Sequence, residues 1–433
     1  MYLTKSTSIT IVLIFAVVVR VLFAMYQPKP LITADSIGYY QLGVQMVENP
    51  RLETIISEFR TPLYPIFLAS LSKLLGFNDG STIADIQQLV GVAGVIIFFS
   101  FLIRMGFSRK TTLIFSLLTA GNILVFYWER ALVTEGLATT TFIMSLLIFA
   151  HTLQTPRTKN FILLWISYGI NFLLRPAFVF LPVVTLPFLF IVFKRRSEKL
   201  KVFITLLMSC LVPALYIVGN TVYHEYKGIQ HVGDIDVLGR ILEFDTPIEA
   251  GKAYSYFYES VTDYRNRKGN PMPFEFINTY DDSMYVNTTR MNELQGFTRS
   301  VVLGNLPSYV TDAFATIPSA MTDVSPFIKI SDDSIVFLHI FFSGLLIFYR
   351  TLLPFTLVAL FLYPIAMYLF IKEKSTKRIL LATLGSVILC QIFLTVLVVY
   401  KEDYGRLFAS IQPLLFVFII GTLQELFIHK RRA

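Results

Sequence analysis

Residues 8–26 read SITIVLIFAVVVRVLFAMY, an apolar run in which Arg20 is the sole charged residue. A helix that crosses the hydrocarbon core of a bilayer needs about 20 such residues. Because the run contains Arg20 and lacks a small-residue cleavage site, we interpret it as a retained membrane helix rather than a signal peptide. Further apolar runs occupy residues 85–103, 111–127, 136–153, 161–174, 177–193, 202–220, 351–371, 379–399 and 406–428. The sequence therefore predicts an all-α polytopic membrane protein with about ten transmembrane helices.

The overall composition agrees with this class of protein. Of the 433 residues 55% are hydrophobic, with 40 Phe and 22 Tyr, and the mean hydropathy is +0.63. The formal net charge of +8 comes from Lys and Arg clustered at the ends of apolar runs, a pattern of membrane topology rather than of nucleic-acid binding. The sequence contains no HExxH, Walker or dinucleotide-binding motif, which argues against a zinc hydrolase or a cytoplasmic nucleotide enzyme.

The distribution of basic residues predicts the sidedness of the helices. Lys and Arg concentrate in cytoplasmic loops, and here they cluster at 104–110, 155–160, 194–201, 372–378 and 429–433. All these clusters lie on one side only if two further apolar stretches, 61–77 and 336–349, do not cross the membrane. We therefore predict that both stretches lie at the outer interface or re-enter. The outer segments are then a first loop 27–84, a turn 128–135, a large loop 221–335 and a last turn 401–406.

Several ionisable residues in these outer segments stand next to predicted membrane helices. Asp35, in ITADSIGYY (32–40), has the chemistry of a general base or metal ligand, although from the residues alone a helix N-cap is favoured. Glu129 and Glu135 lie near the two ends of the turn WERALVTEG (128–136). The alternative interpretation of this turn is a solvated connection or the start of the next helix. Ionisable groups at such positions need partners, because placing an unpaired charge in the bilayer costs free energy.

Arginines and further acids accompany these carboxylates. Arg60 opens RTPLYPIFLA (60–69), where snorkelling toward water is the alternative interpretation. Arg175 follows about 14 apolar residues, or roughly 21 Å of helix, and a guanidinium at that depth suits a phosphate. The last outer turn, KEDYGRLFASIQP (401–413), contains Glu402, Asp403 and Arg406, and is otherwise an ordinary hydrated loop.

The order of these motifs resembles the GT-C superfamily of membrane glycosyltransferases, in its protein O-mannosyltransferase and aminoarabinose transferase branch, family 39-like. The acid that follows the first helix and precedes a tyrosine corresponds to ADSIGYY (34–40), and the Arg-Pro-Tyr-Pro entry into a short helix to RTPLYPIFLA (60–69). The Thr-Glu pair that ends an outer turn is similar to LVTEG (132–136). The Arg-Pro after a later span and the Tyr-Arg turn before the last helix resemble RP (175–176) and DYGRLFASIQP (403–413).

The resemblance implies which residues act. Asp35 is the expected general base and Glu135 the second catalytic residue, orienting the acceptor or supporting the base. Three arginines are expected to bind the donor phosphate, and a set of aromatic and acidic residues to contact substrate. The phosphate-binding set is Arg60, Arg175 and Arg406, and the substrate-contacting set is Tyr39, Tyr40, Tyr64, Glu129, Glu402 and Tyr404. The sequence leaves open a divalent cation, Mg²⁺ or Mn²⁺, and identifies no metal ligands.

The resemblance also implies the reaction and the organisation of the chain. A sugar is expected to move from a polyprenyl-phosphate donor to a glycan, lipid or protein acceptor at the outer face of the membrane, in bacteria the inner (plasma) membrane, without nucleic acid. The expected parts are a catalytic transmembrane module at 1–220, a large outer loop at 221–335 for the acceptor or a lid, and C-terminal transmembrane helices at 336–433.

Three alternatives remain open from the residues. A transporter also places charges in the membrane, but predicts inverted repeats and charges near mid-membrane. A membrane polysaccharide polymerase or ligase is expected to rely on arginines of the large loop, such as Arg240. A non-catalytic scaffold is the third.

Overall fold

The computed structural model describes residues 5–75, 80–244, 254–267, 272–280, 287–325 and 335–432, together with positions 284 and 328. Within these residues the regular structure is helical, and an isolated parallel bridge joins Leu31 to Ala131. This confirms the predicted all-α class.

The first half of the chain alternates long helices with short connections. Its helices are α1 (Lys5–Tyr26), α2 (Ala34–Glu48), α3 (Leu52–Ile55), α4 (Leu63–Leu75), α5 (Ser81–Arg104), α6 (Arg109–Ala120), α7 (Ile123–Arg130), α8 (Glu135–Gln154), α9 (Thr158–Leu174), α10 (Leu181–Val192) and α11 (Arg196–His224). The neighbours α5 and α8 pack closely. At Gly94 a Cβ atom would stand 2.6 Å from the Thr140 hydroxyl, so the small residue permits this approach.

Shorter helices fill the large loop, and long ones return at the C-terminal end. The loop contains α12 (His231–Glu243), α13 (Ser255–Arg267), α14 (Pro273–Tyr280), α15 (Thr288–Gly304), α16 (Leu306–Ala315) and α17 (Ile317–Thr322). The last part contains α18 (Val336–Leu352), α19 (Val358–Lys372), α20 (Thr376–Val398), α21 (Tyr404–Phe408) and α22 (Gln412–Arg432).

Seven helical segments of the described chain are long and apolar enough to cross a membrane, or eight if α6 and α7, bent by 48°, form one broken span. The chain is thus an integral multi-pass membrane protein. The predicted number of about ten exceeds this count because the runs 161–174 and 177–193 form shorter helices. The 17-residue α9 ends at Leu174, with Arg175 as its C-cap, and a 3-10 turn at Pro176–Phe178 leaves 12 residues for α10.

The two stretches set aside by the charge argument differ in outcome. The first forms α4, whose 13 residues are fewer than a span requires, in agreement with the prediction. The second forms the first part of a longer apolar segment, and its place at the outer interface stays a prediction. A 3-10 turn at Leu353–Leu357 joins α18 to α19 within one apolar segment, Val336–Lys372. The joined segment counts as one span that ends at the basic loop 372–378. The predicted alternation of inner and outer loops along the chain is therefore unchanged.

Basic clusters and candidate site residues occupy opposite ends of the same helices. At one end, Arg104 of α5 donates to Gln154 of α8 at 2.9 Å, and Lys377 of α20 pairs with Glu425 of α22 at 3.3 Å. The other ends of α8 and α20 begin or finish beside the candidate site described below. This segregation is the one that the charge pattern predicts.

Candidate active site

A cavity of about 350 Å³ lies where the ends of several helices meet. Its wall includes residues from α2, the start of α4, the end of α9, α12 and the turn between α20 and α21. Six of the ionisable and aromatic residues singled out by the sequence line it, namely Asp35, Tyr39, Arg60, Arg175, Asp403 and Arg406. Helix ends thus gather residues that are far apart in the sequence.

Asp35 stands in the first turn of α2 but does not cap the helix. Thr33 is the N-cap, and its side chain and that of Ser36 form a reciprocal capping box. The expectation that Asp35 caps the helix is therefore wrong, because its neighbours already satisfy the free amides. The two carboxylate oxygens of Asp35 accept instead from Arg60 Nη2 at 2.6 Å and from Arg406 Nη1 at 2.9 Å.

Glu135 begins α8 and is fully enclosed. Its Oε1 accepts from Arg406 Nε, and Arg175 Nη2 lies 3.3 Å from the same oxygen. Arg406 therefore bridges Asp35 and Glu135, and the five side chains form a row of alternating charge. We call this row the charge row; in order it contains Arg60, Asp35, Arg406, Glu135 and Arg175. Within the row three guanidinium groups face two carboxylates, and a further carboxyl, that of Asp403, lies 3.8 Å from Arg406 Nη1.

The charge row determines the ionisation of Asp35. Burial raises the pKa of this carboxyl, but Arg406 and Arg60 oppose that effect and together lower the pKa to about 2. Opposite charges within hydrogen-bonding distance outweigh desolvation here. Asp35 is therefore a carboxylate at any physiological pH.

An aromatic layer supports the row from behind. The guanidinium of Arg60 stands over the Tyr39 ring, 5.3 Å from its centroid. The ring of Tyr64 meets Tyr39 edge-to-face at 5.0 Å, and its hydroxyl donates to Gln87 at 2.8 Å. Tyr39 lines the cavity, whereas Tyr64 is wholly buried beneath it and Tyr40 is exposed elsewhere. Among the three tyrosines predicted here to contact substrate, only Tyr39 is placed to do so.

The other predicted substrate contacts also lie away from the cavity. Glu129 turns to the opposite side of its helix, where both its oxygens accept from Arg20 at 2.6 Å. Tyr404 is buried, with its hydroxyl 3.4 Å from that of Thr316. Its ring faces Arg240, which pairs with Glu243 and lies outside the cavity lining. The side chain of Glu402 lies outside the described part of the chain.

The wall opposite the charge row comes from the large loop, and sequence reasoning missed its residues. Asp234 and Asp236 of α12 line the cavity together with Tyr226 and Gln295. The Tyr226 hydroxyl donates to Asp234 at 2.5 Å. The acids of VGDIDV (232–237) follow no motif, so only their proximity to the end of α11 hinted at this location.

Burial affects the carboxyls on this wall differently from Asp35. It raises the pKa of Asp234 to about 6, although hydrogen bonds from Tyr226 and Gln295 oppose the shift. It also raises the pKa of Asp236 and of Asp403, the latter despite Arg406 nearby. The cavity therefore combines one acid of lowered pKa, Asp35, with acids whose pKa burial raises.

We predict a pH-dependent stability effect at Asp234. An acid whose pKa is raised from 3.8 to about 6 binds more protons folded than unfolded between these values. Stability therefore falls as pH rises through this window, and the full penalty is present above about pH 6. We expect Asp234→Asn to raise the melting temperature in detergent at pH 7.5, by roughly 1–3 kcal/mol of stability, and to have a much smaller effect at pH 4.5. An equal shift at both pH values would contradict this account.

The described residues contain no group of three His, Cys, Asp or Glu side chains arranged to hold a metal ion. Both oxygens of Asp35 already accept from arginines. The cation that the sequence left open thus has no ligand set among these residues.

Comparisons with known proteins bear on this arrangement. A family model described as dolichyl-phosphate-mannose-protein mannosyltransferase matches residues 60–222, a segment that contains Arg60, Glu135 and Arg175 but not Asp35 or Arg406. No curated protein gives a match. Among solved structures the chain is similar to the oligosaccharyltransferase of Archaeoglobus fulgidus tethered with an acceptor peptide, with 13% identity and a TM-score of 0.47 over 96% of this chain. The chain spans about half of that structure, 49% of its length.

The family match covers the part of the chain that supplies Glu135 and two of the three arginines of the charge row. The matched segment contains three of the short motifs on which the sequence interpretation relied, at 60–69, 132–136 and 175–176. The match confirms the predicted resemblance to the GT-C membrane glycosyltransferases, and it supports an enzyme of the glycosyltransferase class.

Proposed function

We propose that this chain transfers a sugar from a polyprenyl-phosphate donor to a hydroxyl or amine of a glycan, lipid or protein acceptor. The observation that carries the proposal is the charge row, in which three arginines and Asp35 from distant segments line one cavity while the buried Glu135 pairs with two of these arginines. Such a cavity at the helix ends is accessible to a donor whose chain stays in the bilayer and whose phosphate lies at headgroup depth. The guanidinium fork matches the phosphate oxygens.

In the proposed reaction the arginines and the carboxylates of the charge row have different roles. The acceptor oxygen or nitrogen attacks the anomeric carbon, the bond from that carbon to the phosphate oxygen breaks, and polyprenyl phosphate leaves. Arg60, Arg406 and Arg175 stabilise the negative charge that grows on the leaving phosphate. Asp35 takes the proton from the attacking group. Glu135 holds Arg406 and Arg175 in position for the phosphate.

The low pKa of Asp35 has a consequence for this mechanism. A carboxylate with a pKa of about 2 is a weak base, because two arginines stabilise its charge. A donor phosphate that binds Arg60 and Arg406 competes with Asp35 for the same N–H groups. We therefore infer that donor binding frees Asp35 and raises its basicity. Proton abstraction is then coupled to the presence of the donor, which limits unproductive chemistry without it.

The opposite wall is the proposed acceptor side. Carboxyls, an amide and aromatic rings suit hydroxyl-rich or amine-bearing ligands, and Asp234, Asp236, Gln295 and Phe274 provide them. This supports the predicted role of the large loop in acceptor binding. Arg240, on which a polymerase or ligase was expected to rely, is buried against the Phe244 ring at 3.8 Å, so the geometry does not favour that alternative.

The proposed sidedness follows from the segregation of charge. The basic helix ends are proposed to face the cytoplasm and the cavity the outside, in a bacterium the inner membrane. Cysteine-accessibility labelling tests this at Tyr40 of α2 and Lys401 of the last outer turn, because both are exposed whereas Glu135 is enclosed. Both positions should react from the outside only, and labelling of the two from opposite faces would remove the common site.

The activity is tested by reconstituting the full chain in proteoliposomes and supplying radiolabelled polyprenyl-phosphate sugars with membrane extracts as acceptors. We expect label to move to an acceptor with release of polyprenyl phosphate. If a panel of hexosyl and pentosyl donors gives no transfer while the protein is folded, the proposal fails.

Arg175 provides a specific prediction for donor binding. We expect Arg175→Gln to lower kcat/KM for the lipid donor by roughly 10- to 100-fold, because one charge-assisted contact of about 1.5–3 kcal/mol is lost. Arg175→Lys should recover part of this loss, since it keeps the charge but not the fork. Radiometric initial rates over a donor series provide the measurement. Arg299→Gln, which lies outside the cavity lining, is the control.

A further inference from the structure

A second recess lies between α1 and α5, separate from the candidate active site. It has a volume of about 500 Å³, and no residue that lines it also lines the active-site cavity. Its apolar wall comes from side chains of two membrane-spanning helices that are partly exposed, among them Val17, Val21, Met25 and Leu89. We call this recess the α1–α5 groove. In a bilayer its open side meets lipid.

The polar end of the groove contains one unsatisfied donor. Gln88 lines the groove with only 5% of its surface exposed. Arg130 Nη1 donates to its Oε1 at 3.5 Å, which assigns the orientation of the amide, and Nε2 has no hydrogen-bond partner. A buried donor without an acceptor is destabilising, and hydrocarbon offers no acceptor to replace water. The groove therefore calls for a ligand atom that accepts a hydrogen bond.

The charged residues of the groove are already neutralised. Arg20 is paired with Glu129, and Arg130 with Asp85. Arg130 also donates to the backbone carbonyls of Gln27 and Pro28. Two arginines and two carboxylates leave no excess charge, so the groove does not select an anion. The groove has a long apolar wall, and Gln88 Nε2 beside it lacks a neutral hydrogen-bond acceptor.

The depth of Gln88 narrows the choice of ligand. It lies seven residues after Ser81, the first residue of α5, or roughly 10 Å along the helix axis. The pair of Asp85 and Arg130 stands nearer that end. In a glycerophospholipid the phosphate is outermost, the ester carbonyls lie deeper, and the acyl chains follow. A carbonyl at the depth of Gln88 therefore places its chain along Val17, Val21 and Leu89.

We propose that the α1–α5 groove binds one glycerophospholipid of the bilayer, whose ester carbonyl accepts from Gln88 Nε2. The site adjoins the turn that leads to Glu135, since Arg130 precedes that turn and its carbonyl accepts from the Leu31 amide. The bound lipid completes the packing beside this turn. This inference does not depend on the transfer reaction.

The test measures glycerophospholipid retained by the purified full chain after extensive detergent washing, by native mass spectrometry. We expect Gln88→Leu to lower retention roughly 3- to 20-fold, the range for one hydrogen bond within a membrane protein. Gln391→Leu is the matched control, because Gln391 is 3% exposed, also has an unsatisfied atom and lies outside the groove. Leu89→Trp fills the groove without touching its polar groups and should also lower retention, whereas Leu215→Trp on α11 should not.

Two results would overturn the proposal. The first is equal retention in Gln88→Leu and Gln391→Leu, or in Leu89→Trp and Leu215→Trp. The second is displacement of the retained phospholipid by polyprenyl phosphate at equal concentration, which would assign the groove to an isoprenoid chain. Should Gln88→Leu fail to fold, the tryptophan pair still decides the question.

Discussion

Asp35→Asn is expected to lower the rate of sugar transfer by about 10²- to 10⁴-fold at normal expression, because the substitution removes the proposed proton acceptor. The asparagine keeps the shape of the side chain and an oxygen for one arginine. The measurement is turnover of a radiolabelled lipid-linked sugar by the purified variant, with KM for the donor determined separately. A base assignment predicts a loss in kcat rather than in donor affinity.

Glu293→Gln is the matched control for this substitution. It removes a carboxylate that pairs with Arg290 at 3.0 Å but is exposed and outside the cavity. We expect its turnover to stay close to that of the original chain. Retained activity in Asp35→Asn would remove the base assignment, even if the glycosyltransferase activity itself is real.

The proposed release of Asp35 by the donor predicts a difference between two pH profiles. The profile of kcat/KM reports the free enzyme and that of kcat reports the donor complex. In the free chain the pKa of Asp35 is about 2, because Arg406 and Arg60 outweigh burial. If the phosphate takes over these arginines, the acid limb of kcat should lie at a higher pH than that of kcat/KM. Coincident acid limbs would contradict the coupling.

Breaking the ion pair between Arg20 and Glu129 should have the largest effect on stability. The two side chains form a two-point contact at 2.6 Å, and each is 4% exposed. A buried charge that loses its partner destabilises a protein by about 3–5 kcal/mol. We therefore expect Arg20→Met or Glu129→Met to lower the melting temperature and the folded yield after detergent extraction. Size-exclusion chromatography combined with a thermal ramp provides the measurement.

The double variant Arg20→Met, Glu129→Met distinguishes lost charge pairing from lost packing. Replacing both partners of a buried pair with apolar side chains is often neutral, so we expect the double variant to be more stable than either single variant. Packing is tight at this point, since a Cβ on Gly91 would lie 2.1 Å from the Glu129 carboxyl carbon. If the loss of stability in the double variant equalled the sum of the losses in the two single variants, side-chain packing and not charge pairing would be the main contribution there.

Much of the fold was predictable because hydrophobicity and charge are properties of each segment by itself. The apolar runs around α1, α5, α8, α11 and α20 lie where the sequence indicates. The helix count was less predictable, since Arg175 and Pro176 shorten α9 and α10 through local backbone geometry. The joining of α18 to α19 depends on a 3-10 turn that allows the chain to continue past Pro354. Hydropathy does not encode such a turn.

The candidate site was predictable in part. Short motifs identified Asp35, Glu135 and the arginines, because their chemistry is unusual beside a membrane helix. The same reasoning misplaced Glu129, which lies six positions before Glu135 yet faces Arg20. It also missed Asp234 and Asp236, whose importance comes from a helix of the large loop that packs over the cavity.

The sequence by itself determined that this chain is an integral membrane protein and that basic and potentially catalytic residues occupy opposite ends of its helices. Both are consequences of the transfer of each segment between water and lipid, which needs no knowledge of neighbours. Only the tertiary structure decided that Arg406 reaches Asp35 across 371 positions and Glu135 across 271. The direction of a side chain and the identity of its partner depend on how helices pack against each other, and packing is a property of the whole bundle.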